Sequence, residues 1–124
     1  MSEQVNLLSY NILYPNTEGW WVGKYYSVQE PEDASGWPHR QQLLLGQLRR
    51  SQADIICLQE TASSSFEEDF ADLDSVYDRV VHQRGMRMRC ATLWRKSKLE
   101  LIEVKHKYRS LVTLLKSKST SKLL

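Results

Sequence analysis

The stretch "ADIICLQE", Ala53–Glu60, decides how this chain is to be read. Ile55, Ile56, Cys57 and Leu58 follow one another without a polar break, which marks a strand made for the interior. The run then ends on Gln59 and Glu60. A buried carboxylate without a partner costs several kcal/mol even after the protein relaxes around it. Glu60 therefore reaches water, or something positive meets it at the end of the strand.

Working outward, the preceding segment "PHRQQLLLGQLRRSQ" (38–52) reads as a helix. Pro38 suits its first turn, and Leu44, Leu45 and Leu48 form a core-facing stripe. Upstream, "VNLLSYNIL" (5–13) reads as a strand closed by the turn signal Tyr14-Pro15-Asn16. Asn11 is out of place in that strand, because its amide wants partners. Residues 14–37 form one long loop, and loops of that length in a compact domain are usually functional. Downstream, "SFEEDFADL" (65–73) reads as a second helix, with Ser65 and Glu68 at capping-box spacing and Phe66, Phe70 and Leu73 on one face. Strands are predicted over 77–83, 89–95, 99–105 and 108–115. The short links "RGM" and "KSK" predict hairpins between the first three of these. The order is β-α-β-α-β-β-β with one further candidate element, an α/β arrangement. Two helices cannot cover so many strands, and the sheet edge would stay open. Residues 1–115 are read as one partial domain and 116–124 as a low-complexity, frayed tail.

With 124 residues, 41% hydrophobic and 26% charged, the chain has room for one modest domain of ordinary composition. It contains no apolar run of the roughly 20 residues needed to cross a bilayer, and its N-terminus lacks the plan of a signal peptide. Cys57 and Cys90 are too few for a disulfide framework, and buried thiols in the cytoplasm or nucleus are the expectation. The net charge of +2 conceals a strong polarity. Residues 1–78 carry 4 Lys and Arg against 13 Asp and Glu, whereas residues 79–124 carry 13 against 2. Such an asymmetry marks either a surface for a polyanion or a basic half that answers acidic residues elsewhere.

Asn11 and Glu60 each fall at the C-terminal end of a strand. If those strands are neighbours, an amide and a carboxylate emerge at one rim, which is the beginning of a hard-cation site. Mg²⁺ takes six oxygens and typically one or two carboxylates. Glu60 capping a loop or pairing with Arg40 is the other reading of the same spacing.

"LSYNIL", then Trp37-Pro-His-Arg40 with "QQLL", then "ADIICLQE", in that order, resembles the endonuclease/exonuclease/phosphatase family, of deoxyribonuclease-I-like fold, and within it the deadenylase-like branch. The likeness runs over about residues 4–115. It implies the N-terminal half of a two-sheet β-sandwich flanked by helices, and a parent activity of Mg²⁺-dependent phosphoester hydrolysis, nuclease-type. Glu60 matches the family's metal-binding Glu, and Asn11 the Asn beside the metal and scissile phosphate. Arg40 matches the Arg of the W-x-x-R helix start, a structural tie. The implied partner is nucleic acid, RNA rather than DNA, or another phosphoester. Aromatic residues in the long loop, Trp20, Trp21, Tyr25 and Tyr26, either stack on bases or pin the loop to the sheet.

The chain departs from the family pattern in its second half. The expected G-D-x-N and S-D-H stretches are absent, and His39, His82 and His106 stand in none of the expected contexts for a general base. A truncated chain, inactive on its own, is the expectation that follows. The alternative is a non-catalytic fragment that binds RNA or protein through its basic half.

Overall fold

The structure is a computed structural model and describes residues 3–15, 36–84 and 87–124. Trp20, Trp21, Tyr25 and Tyr26 lie outside the described residues.

Among the described residues, six strands, one long helix and one short helix follow as β1 (Leu7–Asn11), α1 (Trp37–Ser51), β2 (Ile55–Ala62), α2 (Phe66–Asp69), β3 (Tyr77–Val81), β4 (Met88–Arg95), β5 (Leu99–His106) and β6 (Leu111–Ser117), with a 3₁₀ turn at Ala71–Leu73 after α2. One sheet has the order β1-β2-β4-β3, with β1 parallel to β2 and the other pairs antiparallel. A second sheet consists of β5 and β6.

The apolar run of β2 explains why two layers are needed. Successive side chains of a strand point to opposite faces. Ile56 and Leu58 pack under the helices with Leu44, Leu45, Leu48, Phe66 and Phe70. Ile55 and Cys57 face the other way, with Trp94, Leu99, Leu101 and Leu115. Both sides of β2 are therefore core, and the layers run helices over sheet over sheet.

Four expectations from the sequence are corrected here. The "KSK" link is no hairpin, because β4 and β5 belong to different sheets. The chain leaves the first sheet after Arg95, and Leu99 starts β5 across the second face of β2, which pairing beside β4 would have left bare. The last strand begins at Leu111 rather than Tyr108; Lys107 and Ser110 close a tight turn, with the Lys107 N–H donating to the Ser110 carbonyl at 2.9 Å. Ser65 makes no capping bond to α2; its hydroxyl instead donates to the Asp69 carboxylate at 2.7 Å. That carboxylate also accepts from Trp37 Nε1 at 2.9 Å, which ties α2 to α1. The end read as frayed folds back on the outer side of β6. Leu115 and Leu124 exchange both backbone bonds, and Ser117 N–H donates to Lys122. Low complexity gave no warning of this, since the free backbone groups of an edge strand take any chain that reaches them. The "RGM" link does join an antiparallel pair, β3 and β4.

Candidate active site

Asn11 and Glu60 meet at one rim of the first sheet. β1 and β2 run parallel, with Asn11 opposite Gln59, so both strands deliver their C-terminal ends to the same side. The Asn11 Nδ2–H donates to Glu60 Oε1 at 3.0 Å. Asn11 Oδ1 accepts the N–H of Leu13 at 2.9 Å. That backbone donor determines which way the amide points, so its N–H₂ end is the one presented to the carboxylate. Among the described residues, Glu60 Oε2 has no protein partner.

Glu60 is aimed by a β-bulge. Leu58 pairs with Ala91 and Thr61 with Arg89, so Gln59 and Glu60 together stand opposite the single Cys90. Glu60 takes the extra place with φ 59°, a left-handed backbone that side chains seldom adopt. Thr61 Oγ1 donates to the Arg89 carbonyl at 2.7 Å and pins the strand just past the bulge. Here lies the answer to the awkward end of β2: the buried strand breaks its alternation and turns the carboxylate out to a half-buried position.

Arg40 holds the same rim from behind. Its guanidinium donates to the carbonyls of Ile12 at 3.0 Å and Tyr14 at 3.3 Å, and lies 5.1 Å from the Trp37 ring centroid. The helix start is thereby tied to the chain leaving β1, rather than to Glu60.

In front of Glu60 is a cavity of about 330 Å³, lined by Asn11, Glu60, His82, Arg84, Arg89 and Tyr108 among others. Arg109 lines it too, and neither Tyr108 nor Arg109 carried a signal in the sequence. They reach the cavity because β5 and β6 belong to the second sheet, and their connecting turn comes over the rim. His82 secures that turn. Its Nδ1 accepts the Arg84 N–H at 2.9 Å, so the ring proton sits on Nε2 and is donated to the Lys107 carbonyl. The His106 ring lies edge-on to it with centroids 5.6 Å apart, and His106 Nδ1 accepts the Gln83 N–H. Both nitrogens of His82 are thus engaged in structure. Cys90 also lines the cavity; Cys57 lies near it, and burial, with a smaller contribution from Cys90, pushes the Cys57 thiol up from its ordinary value.

A divalent metal finds a partial fit. Glu60 offers a carboxylate whose free oxygen faces open space, the hard-donor chemistry that Mg²⁺ takes. Among the described residues, no group of three His, Cys, Asp or Glu side chains gathers to complete a cage. No helix of the described residues is long and apolar enough to cross a membrane.

The bulged Glu60 and its Asn11 partner thus share one rim of an α/β sandwich. The Endonuclease/Exonuclease/phosphatase family profile matches residues 8–111, and the chain belongs to that family. It is 32% identical over 118 residues to the CCR4-Not complex 3'-5'-exoribonuclease subunit Ccr4 of Phaeosphaeria nodorum, over 82% of this chain and 18% of that protein. It is 38% identical over 79 residues to the carbon catabolite repressor protein 4 homolog 2 of Arabidopsis thaliana, over 63% of this chain and 12% of that one. Among solved structures, the fold matches ANGEL2, a 2',3'-cyclic phosphatase, with TM-score 0.76 at 22% identity, over 92% of this chain and 37% of that one. The chain therefore spans less than a fifth of the length of these curated relatives.

Proposed function

We propose that this chain carries the Glu60 portion of a Mg²⁺-dependent phosphoester hydrolase site whose substrate is nucleic acid, RNA in preference to DNA. The observation that carries the reading is the bulge at Gln59–Glu60, which spends backbone strain to present one carboxylate at a rim beside Asn11. Strain of this kind collects at functional sites. Membership of a family of nucleases and phosphatases supports it further, as does the exoribonuclease named among the relatives.

Glu60 Oε2 would hold the metal, and Asn11 keeps the carboxylate turned toward it. A bound Mg²⁺ would polarise a phosphoryl oxygen and neutralise charge developing on the leaving group. Arg84, Arg89 and Arg109 surround the same cavity and supply positive charge for a phosphate. His82 is committed to the Lys107 and Arg84 backbone, so it serves the shape of the cavity and not proton transfer. With one carboxylate and no general base among the described residues, residues 1–115 are a partial domain in this reading, and turnover by the chain alone is slow or nil. Cytoplasm or nucleus is the proposed location.

The test is metal binding and turnover side by side, on the wild type and on Glu60→Gln. Titration with Mn²⁺, followed by its paramagnetic effect on solvent water, should detect a site that Glu60→Gln weakens at least tenfold. Mg²⁺-dependent nucleotide release from single-stranded RNA, where measurable, should vanish in the variant. Metal binding that survives the substitution would remove Glu60 from the site. A second reading, a non-catalytic RNA-binding chain, is favoured by the arginines that line the cavity. It predicts salt-sensitive RNA binding that ignores both Mg²⁺ and Glu60.

A further inference from the structure

Tyr108 is 78% exposed, whereas Trp37, Phe66, Phe70, Tyr77 and Trp94 are buried. It stands on the four-residue turn between β5 and β6, at the mouth of the cavity that holds Glu60. A tyrosine set so far into water on a mobile loop would mean little, but this turn is held from three sides. Lys107 N–H closes it onto Ser110. His82 Nε2–H donates to the Lys107 carbonyl, and the Gln83 N–H donates to the imidazole of His106 at 3.1 Å. The last two bonds cross from the end of β3 in the first sheet to the second. The backbone beneath the ring is therefore held in place, and the guanidinium of Arg109 lies 5.5 Å from the ring centroid. Arg84 and Arg89 complete a basic lining within reach of the same turn.

We propose that this turn is a nucleobase platform: Tyr108 stacks on one base of a single-stranded RNA while the adjoining phosphate lies among the arginines in front of Glu60. Stacking on an aromatic ring is tolerant of base identity because every base has a π-face, and a cationic group at the same ring adds to it. A base within a duplex has both faces covered, so the platform selects single strands. The proposal rests on the phosphoester reading above and adds the element that tells a nucleic acid strand from a bare phosphoester. Pre-organisation by His82 and His106 matters here, since little freedom of the turn backbone remains to be lost on binding.

The experiment is fluorescence anisotropy of the full chain without Mg²⁺, using a labelled oligoadenylate decamer and an abasic ribose-phosphate decamer of the same length. The wild type should bind oligoadenylate about 5- to 150-fold more tightly than the abasic strand, the range one aromatic stack supplies. Tyr108→Ala should erase that preference and leave abasic affinity within about twofold, while Tyr108→Trp should keep it. Because the side chain is exposed, the variants should melt with the wild type, and circular dichroism checks this. A base preference that persists in Tyr108→Ala overturns the platform while the phosphate-binding reading stands. Equal loss on both strands also overturns it. No binding of either strand overturns the platform together with the nucleic acid reading of the site.

Discussion

At Glu60 two requirements conflict, and the conflict is resolved by strain. The strand needs its apolar residues buried on both faces, and the carboxylate needs to leave the interior. One inserted residue at φ 59° achieves both, at a backbone cost of about 1–2 kcal/mol for a residue with a Cβ. Glu60→Gly and Glu60→Ala both delete the carboxylate and the bond from Asn11, so their difference isolates the backbone. Glycine should be the more stable of the two by about 1 kcal/mol in urea unfolding, although neither retains the carboxylate proposed to hold the metal. Alanine equal to or above glycine would show that the bulge is unstrained. That a glutamate would end this strand was legible in the sequence; that it sits in a bulge was not, because the letters Gln59-Glu60 carry no glycine to announce a left-handed residue.

Between elements, the other end of β2 is where the sheets are fastened together. Asp54 is 2% exposed and collects three attachments. Its carboxylate accepts the Asn6 N–H at 3.0 Å from the segment entering β1, and lies 3.0 Å from Lys98 Nζ and 3.6 Å from Arg95 Nε, on the link from β4 to β5. Burial pushes its carboxyl up, but the Asn6 amide, Lys98 and Arg95 outweigh this and hold it below the usual carboxylate value of 3.8. A depressed carboxyl contributes stability that is complete above its unfolded pKa and is lost as pH falls through its folded one. Asp54→Asn should therefore lose about 1–3 kcal/mol at pH 7, and the gap from wild type should narrow as pH drops below about 4. Urea midpoints measured at pH 7 and again near pH 3 read this directly; a gap independent of pH would rule out the charge as its source. The KSK link that reads as a hairpin becomes the crossing between sheets for the same reason. Lys98 and Arg95 close on Asp54, and Leu99 goes to the uncovered side of β2.

Over the whole molecule, the division into an acidic and a basic half is partly answered within the chain. Arg79 pairs with Glu67 and Asp74, and Arg95 and Lys98 with Asp54, so basic residues of the second half meet acidic ones of the first. Arg84 and Arg109 line the cavity, as does Arg89, whose guanidinium also donates to the His82 carbonyl at 2.8 Å. If these three meet phosphates, the logarithm of the RNA binding constant should fall against the logarithm of salt concentration with a slope of about −2, and Arg84→Ala and Arg109→Ala should each reduce it by about 0.7. A slope near zero would leave the arginines without a polyanion to meet.

By itself the sequence determined the local matters: the strand of Ile55–Leu58, the leucine stripe of α1, the placing of an asparagine and a glutamate each at the end of its own strand, and through its motifs the family. These rest on contacts between residues close in the chain or on alternation within one element. Tertiary structure alone decided which strands share a sheet, where the bulge falls, and that a turn some 50 residues beyond Glu60 overhangs it with Tyr108 and Arg109. Those outcomes follow from covering both faces of one apolar strand, a demand the whole chain meets together and no short stretch records.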